Sequence, residues 1–335
     1  MNSTRRFAII GCGSIGTRHI GNLLALQAGE VIGCDPQAER RRELEARFGL
    51  ACADSLEAVW EHRPSVAFVT VPTSLHLAVA LQAAEHGCHL FIEKPLADRL
   101  EGTDRLLATI RDRGLVSLVG CNLRFHPGLA TVKRLLEEGV VGRVTAARVE
   151  CGQYLPDWHP AEDYRHGYSA RRDQGGGVIL DAIHELDYIR WLLGEVAAVA
   201  CFAGRLSGLE IETEDSAAIL LRFASGGIGE VHLDYVQRAH RRTCQIIGEG
   251  GTILWDYAGG VSWFSAATRQ WTALPAPPGW QTNAMYLDEL RHFLACLDGR
   301  ERSVQDVAEG RRVLEIALAA KESSATGRVV EWNGR

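Results

Sequence analysis

The stretch FAIIGCGSIG, residues 7–16, decides the fold. Phe7, Ala8, Ile9 and Ile10 read as a buried strand, and Gly11, Gly13 and Gly16 follow before a pattern of helical period begins. In a G-x-G-x-x-G turn the first glycine permits a tight bend and the second lets the main chain approach a phosphate. The third lets the following helix pack close on the strand. That helix offers its unpaired N–H groups and the positive end of its dipole to an anion. Ser14 and Ile15 complete the turn and join the three glycines as candidate cofactor contacts. Asp35 ends the next apolar stretch, 19 residues after Gly16. A carboxylate there accepts both ribose hydroxyls and repels a 2′-phosphate, which predicts NAD as cofactor in preference to NADP. An aspartate before Pro36 is also an ordinary turn residue, and Arg40, Arg41 and Arg42 stand near enough to neutralise a phosphate.

Working outward, apolar strands at 31–34, 66–71, 88–92 and 116–120 alternate with helical patterns at 15–27, 38–48, 56–62, 75–86 and 100–113. That alternation specifies βαβ units and a parallel sheet. Asp54 with Glu57 forms a capping box, and Thr73 with Ser74 can cap the helix after Pro72. After about Asn122 the pattern changes. A helix at 127–138 and a strand at 144–150 lead into a polar, aromatic loop at 153–174. A helix at 181–193 precedes alternating strands at 197–203, 215–223, 227–235, 243–248 and 252–256, and helices at 284–297 and 304–326 follow. Alternation of this kind fits a sheet with one face covered by helices. The chain is therefore α/β, with one domain over residues 1–121 and a second over 122–335.

A length of 335 residues suits two domains, and 46% hydrophobic with 23% charged residues is ordinary for a globular protein. A net charge of −6 argues against nucleic acid as a partner. Nine scattered cysteines, odd in number and without CxxC spacing, fit a reducing cytoplasm and exclude a disulfide scaffold or a zinc site. Arg5 and Arg6 precede only four apolar residues, too few for a signal peptide. No stretch approaches the roughly 18 apolar residues of a membrane helix. The reading is a cytoplasmic protein with no metal and no membrane partner.

A second informative run is FIEKP, residues 91–95: an apolar strand ends in Glu93, Lys94 and Pro95. Most lysines are merely solvated, but ligands of open α/β sheets bind at the carboxyl ends of the strands. The segments VTVPTSLHLAVALQAAEHGCHLFIEKPLA (69–97), GCNLRFHPGLATVKRLLEEGVVGRV (120–144) and GGGVILDAIHELDYIRWLLGE (175–195) carry a resemblance. They resemble the glucose–fructose oxidoreductase/inositol dehydrogenase/rhizopine-catabolism (Gfo/Idh/MocA) family of NAD(P)-dependent oxidoreductases, over nearly the whole chain. The resemblance implies a Rossmann domain followed by an α/β domain whose large, open, mostly antiparallel sheet serves assembly and walls the substrate site. It implies that Lys94 contacts the reacting hydroxyl and the nicotinamide, that Glu93 holds the nicotinamide ribose, and that the Lys94–Pro95 bond is cis. Pro72 and His76 match the family's cofactor-lining segment, while Asn122 and Arg124 match its crossing between domains. Asn122 is thereby a candidate for the cofactor and Arg124 for the substrate.

Asp181, His184 and Tyr188 fall on one face of a continuous helix, where a carboxylate one turn from an imidazole can orient its proton. Ion pairs on a helix surface explain the same spacing. The resemblance implies that His184 is the catalytic histidine and Asp181 the substrate-binding aspartate, although the family usually separates the two by four residues. Here they are three apart. In the long loop, Tyr154, Trp158 and Arg171 are candidate sugar contacts, beside Asp157, His159, Tyr164, His166, Tyr168 and Arg172. A loop of this length is more often functional than idle. Arg238, His240, Arg241 and Arg242 decorate a strand end. The function expected is hydride transfer between nicotinamide and the hydroxyl or keto carbon of a sugar, polyol or sugar nucleotide, by a homodimer or homotetramer. Two alternatives stand beside it: an NAD-binding regulator without turnover, and a glycosidase that cycles its NAD.

Overall fold

The computed structural model describes residues 5–158, 160 and 163–332. The chain forms two compact units and crosses between them three times: the first holds residues up to Cys121 with Tyr286–Arg311, the second Asn122–Met285 with residues from Arg312.

The first unit carries β1 (Arg6–Ile10), α1 (Ser14–Ala25), β2 (Glu30–Cys34), α2 (Ala38–Phe48), β3 (Cys52–Ala53) and α3 (Leu56–Glu61). Next come β4 (Val66–Val69), α4 (His76–Glu85), β5 (His89–Glu93), α5 (Thr103–Arg113) and β6 (Ser117–Gly120). All six strands are parallel in the order β3-β2-β1-β4-β5-β6, a Rossmann sheet. The order reverses between β1 and β4, the crevice where such sheets take ligands. The strands are continuous apolar runs because helices cover them. Phe7, Phe68 and Phe91 are fully buried, and the Phe68 and Phe91 rings stack at 4.5 Å. β3 has only two residues, Cys52 and Ala53, and went unread in the sequence. Ser55, not Asp54, caps α3, accepting from Ala58 N at 3.3 Å. Thr73–Leu75 forms a 3-10 turn capped by Pro72 without a side-chain bond.

The second unit begins with α6 (Pro127–Glu137), β7 (Val144–Gly152), α7 (Val178–Asp181), α8 (His184–Leu193) and β8 (Val196–Gly204). Strands β9 (Ser216–Phe223), β10 (Ile228–Asp234), β11 (Arg241–Gly248), β12 (Gly251–Asp256), β13 (Gly260–Ser265) and β14 (Gln270–Leu274) follow. The chain closes with α9 (Asn283–Leu297), α10 (Val307–Thr326) and β15 (Val330–Glu331). Nine strands make one sheet in the order β14-β13-β12-β11-β7-β10-β9-β8-β15, antiparallel except for β7 beside β10. Every second residue of β9, such as Ile219, Leu221 and Phe223, is buried, and those between are exposed. α8 packs on β7 and β10, and α6 on β12 and β13, so one face is covered. The strands β13 and β14 went unread in the sequence because β14 buries no face and shows no alternation.

Candidate active site

The glycine turn is shaped by what a Cβ would strike. Gly11 has φ +95°, and a Cβ there would lie 2.7 Å from the Thr70 carbonyl. At Gly16 it would lie 2.1 Å from the Gly11 oxygen, which fixes the close approach of α1 to β1. At Gly13 the nearest atom is 3.9 Å away, on Arg40, so the turn is open on that side. No side chain caps α1 and no acidic residue lies in its first turn, so its N–H groups are left for an anion. A pyrophosphate fits this cradle. Asp35 is 2% exposed, and its oxygens accept from Cys12 N and Gln37 N, each at 2.9 Å. It therefore braces the turn, and Arg40 lies 3.5 Å from the same carboxylate. Burial, with Asp35 adding to it, pushes the Cys12 thiol up to about 12, so it stays protonated beside the turn.

At the end of β5 the Lys94–Pro95 bond is cis and Lys94 is half-buried. Glu93 Oε1 lies 2.7 Å from Nε2 of the buried His19, a residue that went unnoticed in the sequence reading, and Lys94 N donates to Glu93 Oε2 at 3.2 Å. His76 is also buried, but not as expected. Its Nδ1 lies 2.7 Å from the Pro95 oxygen and its Nε2 2.8 Å from the Val71 oxygen, so both ring nitrogens face the main chain rather than a cofactor. Burial pushes its pKa below the usual value against the pull of the two carbonyls, and the neutral ring donates to one of them at a time. Pro72 is exposed at the head of the turn after β4.

In the second unit the expected continuous helix is broken: Asp181 ends α7 and His184 opens α8. Asp181 is 4% exposed and accepts from Ser169 Oγ at 2.6 Å, Tyr235 OH at 3.0 Å and Tyr168 OH. Burial and the Asp181 charge push the Tyr235 hydroxyl well above its ordinary pKa, so it remains a donor. Tyr188 follows His184 by one turn on α8, with its ring fully buried against Trp255, while Asp181 lies on the separate α7. His184 is half-buried. The Arg124 guanidinium, a candidate for the substrate, is buried and forks onto Asp187 at 2.9 and 2.7 Å, so in this structure it braces α8. Asn122 is buried at the start of a 3-10 turn.

The loop folds as four 3-10 turns, and His159 lies outside the described residues. Trp158 meets Tyr235 edge-on at 5.4 Å, which joins it to the Asp181 cluster. Tyr154 carries the Arg238 guanidinium 3.6 Å over its ring. Arg171 pairs with Asp173 at 2.9 Å and is exposed enough to leave it. Arg241 reaches Glu150, and Arg242 is buried against Glu185 at 2.8 Å. Among the described residues no cluster of His, Cys, Asp and Glu could hold a metal, and no helix is long and apolar enough to cross a membrane.

Residues 5–121 match the oxidoreductase family with the NAD-binding Rossmann fold, and residues 129–254 match the GFO/IDH/MocA C-terminal domain. The chain belongs to the GFO/IDH/MocA family. It is a nicotinamide-dependent oxidoreductase, and its cofactor is NAD. It is 28% identical to scyllo-inositol 2-dehydrogenase (NAD(+)) of Bacillus subtilis strain 168, over 97% of this chain and 96% of that one. Levoglucosan dehydrogenase of Pseudarthrobacter phenanthrenivorans is 29% identical over 70% of this chain and 66% of its own. The WlbA dehydrogenase of Bordetella pertussis, solved with NADH and UDP-GlcNAcA, superposes with a TM-score of 0.83 at 25% identity. That match covers 99% of this chain and 100% of WlbA.

Proposed function

We propose that the protein oxidises a secondary hydroxyl of a sugar, polyol or sugar nucleotide, or reduces the matching ketone, with Lys94 and His184 as its catalytic pair. The observation that carries this reading is the half-buried Lys94 set between Glu93 and Pro95 on the sheet that forms the glycine cradle. Bound NAD supplies the hydride acceptor. In oxidation His184 takes the hydroxyl proton, and the Lys94 ammonium steadies the charge that develops on that oxygen as the C=O bond forms and the carbon loses hydride. A positioned acid or base of this kind contributes about 10²–10⁴-fold. Asp181 orders the loop from Tyr168 through its three hydroxyl partners, and Trp158 and Tyr154 offer ring faces to a sugar. The relatives act on, or are solved with, an inositol, levoglucosan and UDP-GlcNAcA, which supports the substrate class.

We also assign the protein to the cytoplasm, on its nine cysteines with no disulfide among them, and to a homo-oligomer. The uncovered face of the nine-stranded sheet supports the latter. Phe202 is 85% exposed there, Leu220 52% and Ile228 55%, and a groove of 880 Å³ lined by Arg148, Glu230 and Leu254 runs across it. None of the candidate catalytic residues lines that groove.

The test is a screen of sugars, polyols and sugar nucleotides with NAD, followed at the NADH absorbance band. Net NADH with at least one compound, lost in Lys94→Ala, supports the dehydrogenase. NADH binding without turnover on any compound favours a regulator, and glycoside cleavage without net NADH favours the cycling glycosidase.

A further inference from the structure

The inward stripe of α1 runs Gly16, His19, Ile20 and Leu23, and each of these residues is buried. Three of the four are small or apolar, as a helix packed on a sheet requires. His19 breaks the pattern. Its ring is fully buried, with the Phe68 and Phe91 rings 5.3 and 4.8 Å away and Tyr286 at 6.4 Å. Its Nδ1 has no hydrogen-bond partner, so a leucine or phenylalanine would suit the packing better. What the imidazole gains is one contact: Nε2 to Glu93 Oε1 at 2.7 Å, 74 residues along the chain.

We infer that His19 is a positioning residue for cofactor binding. Its Nε2–H donates to Glu93 Oε1 and fixes the carboxylate that receives the nicotinamide ribose. The inference rests on the reading of Glu93 as the ribose holder. Glu93 needs such a hold because it ends a strand. Beyond it the chain turns at Pro95, and among the described residues the other oxygen has Lys94 N as its donor, at 3.2 Å. With donors on both oxygens, the carboxylate meets a ribose hydroxyl without first giving up rotamer freedom. The same contact ties α1, whose start cradles the pyrophosphate, to the strand that carries Lys94. One rigid helix then sets the distance between the phosphate end and the nicotinamide end of the cofactor.

The test compares NADH with ADP, which lacks the nicotinamide ribose, in calorimetric titrations of His19→Leu, His19→Gln, Glu93→Gln and the double variant His19→Leu/Glu93→Gln. His19→Leu should weaken NADH about tenfold, the effect of one charge-assisted hydrogen bond, and leave ADP unchanged. His19→Gln, which restores an N–H near the Nε2 position, should recover most of the affinity. The double variant should bind NADH no more weakly than Glu93→Gln alone, because His19 acts only through Glu93. Equal weakening of NADH and ADP in His19→Leu, or additive losses in the double variant, overturns the inference. Unchanged NADH affinity in Glu93→Gln overturns the reading of Glu93 and this inference with it. Unchanged affinity in His19→Leu beside a weakened Glu93→Gln removes the positioning role alone.

Discussion

In the first unit the glycine cradle is main chain, and main chain holds Asp35 and His76, with the His19–Glu93 pair as a side-chain exception. The glycine turn leaves no room for a Cβ at two of its positions, Asp35 takes two backbone N–H groups, and His76 faces two carbonyls. In the second unit side chains hold one another: Arg124 grips Asp187, Arg242 grips Glu185, and three hydroxyls surround Asp181. A cradle of backbone suits a cofactor whose shape never changes. A framework of paired side chains keeps its own geometry, a suitable support for the proposed substrate contacts of Tyr154, Trp158 and Arg171. The two units thus hold their candidate site residues with different materials.

The contrast can be broken at its chemical centre first. With the roles proposed above, Lys94→Ala and His184→Ala should each lose about 10²–10⁴-fold in turnover while NADH affinity changes little. Steady-state rates and a fluorescence titration on the same preparations check this, and near-normal turnover in His184→Ala would move the base to the loop. Next in size comes the frame. Arg124→Met strands the Asp187 carboxylate, 1% exposed, and should cost about 3–5 kcal/mol in denaturant melts. Arg124→Met/Asp187→Leu, which leaves no charge behind, should recover most of that loss. If the single and double variants melt alike, the pair is not what holds α8.

A smaller effect should follow pH. Burial, aided by Arg242, pushes His126 down to about 4, and its Nδ1 accepts from Gly128 N at 3.0 Å at the start of α6. The fold favours the neutral ring. Its contribution is therefore complete above the ordinary value near 6.5 and is lost as pH falls from there toward 4. Between pH 7 and pH 5 the loss should reach about 1–2 kcal/mol. His126→Asn keeps an acceptor for Gly128 N and should flatten that part of the stability curve; an unchanged curve would place the acid sensitivity elsewhere. The smallest effect concerns the cofactor's adenosine end. Wild type should bind NADH more tightly than NADPH, and Asp35→Ser should narrow the ratio about tenfold. A wild-type ratio of one or below would shift the role to Arg40 and Arg41.

What could be read from the sequence follows the same division. The parallel sheet and the glycine turn were legible because backbone geometry demands particular residues at fixed local spacing: apolar runs, then glycine at 11, 13 and 16. The place of Asp35 at the end of β2 was legible for the same reason, although its work in bracing the turn was not. The buried role of Arg124 was hidden because its partner lies 63 residues away, and no local pattern records such a pairing. The break between Asp181 and His184 was hidden as well, since no helix-breaking residue marks 182 or 183 and the three hydroxyls that bond Asp181 come from outside its helix. His19 did leave a trace, a polar ring on an apolar helical stripe, and that mismatch is the kind of local inconsistency that marks a constrained position.

The return of the chain to the first unit has a consequence for how the protein is made. Leu290 and Phe293 are fully buried in the same cluster as Phe7, Phe68 and Phe91, so that core is incomplete until they arrive. Phe293 is synthesised 172 residues after Cys121. At about 5–20 residues per second, the nascent Rossmann sheet waits on the order of 10–30 s with an apolar face open. The order of synthesis and the order of completion are therefore reversed: the part that begins first finishes nearly last. A ribosome that stalls between Asn122 and Met285 leaves the first unit with that apolar face still open.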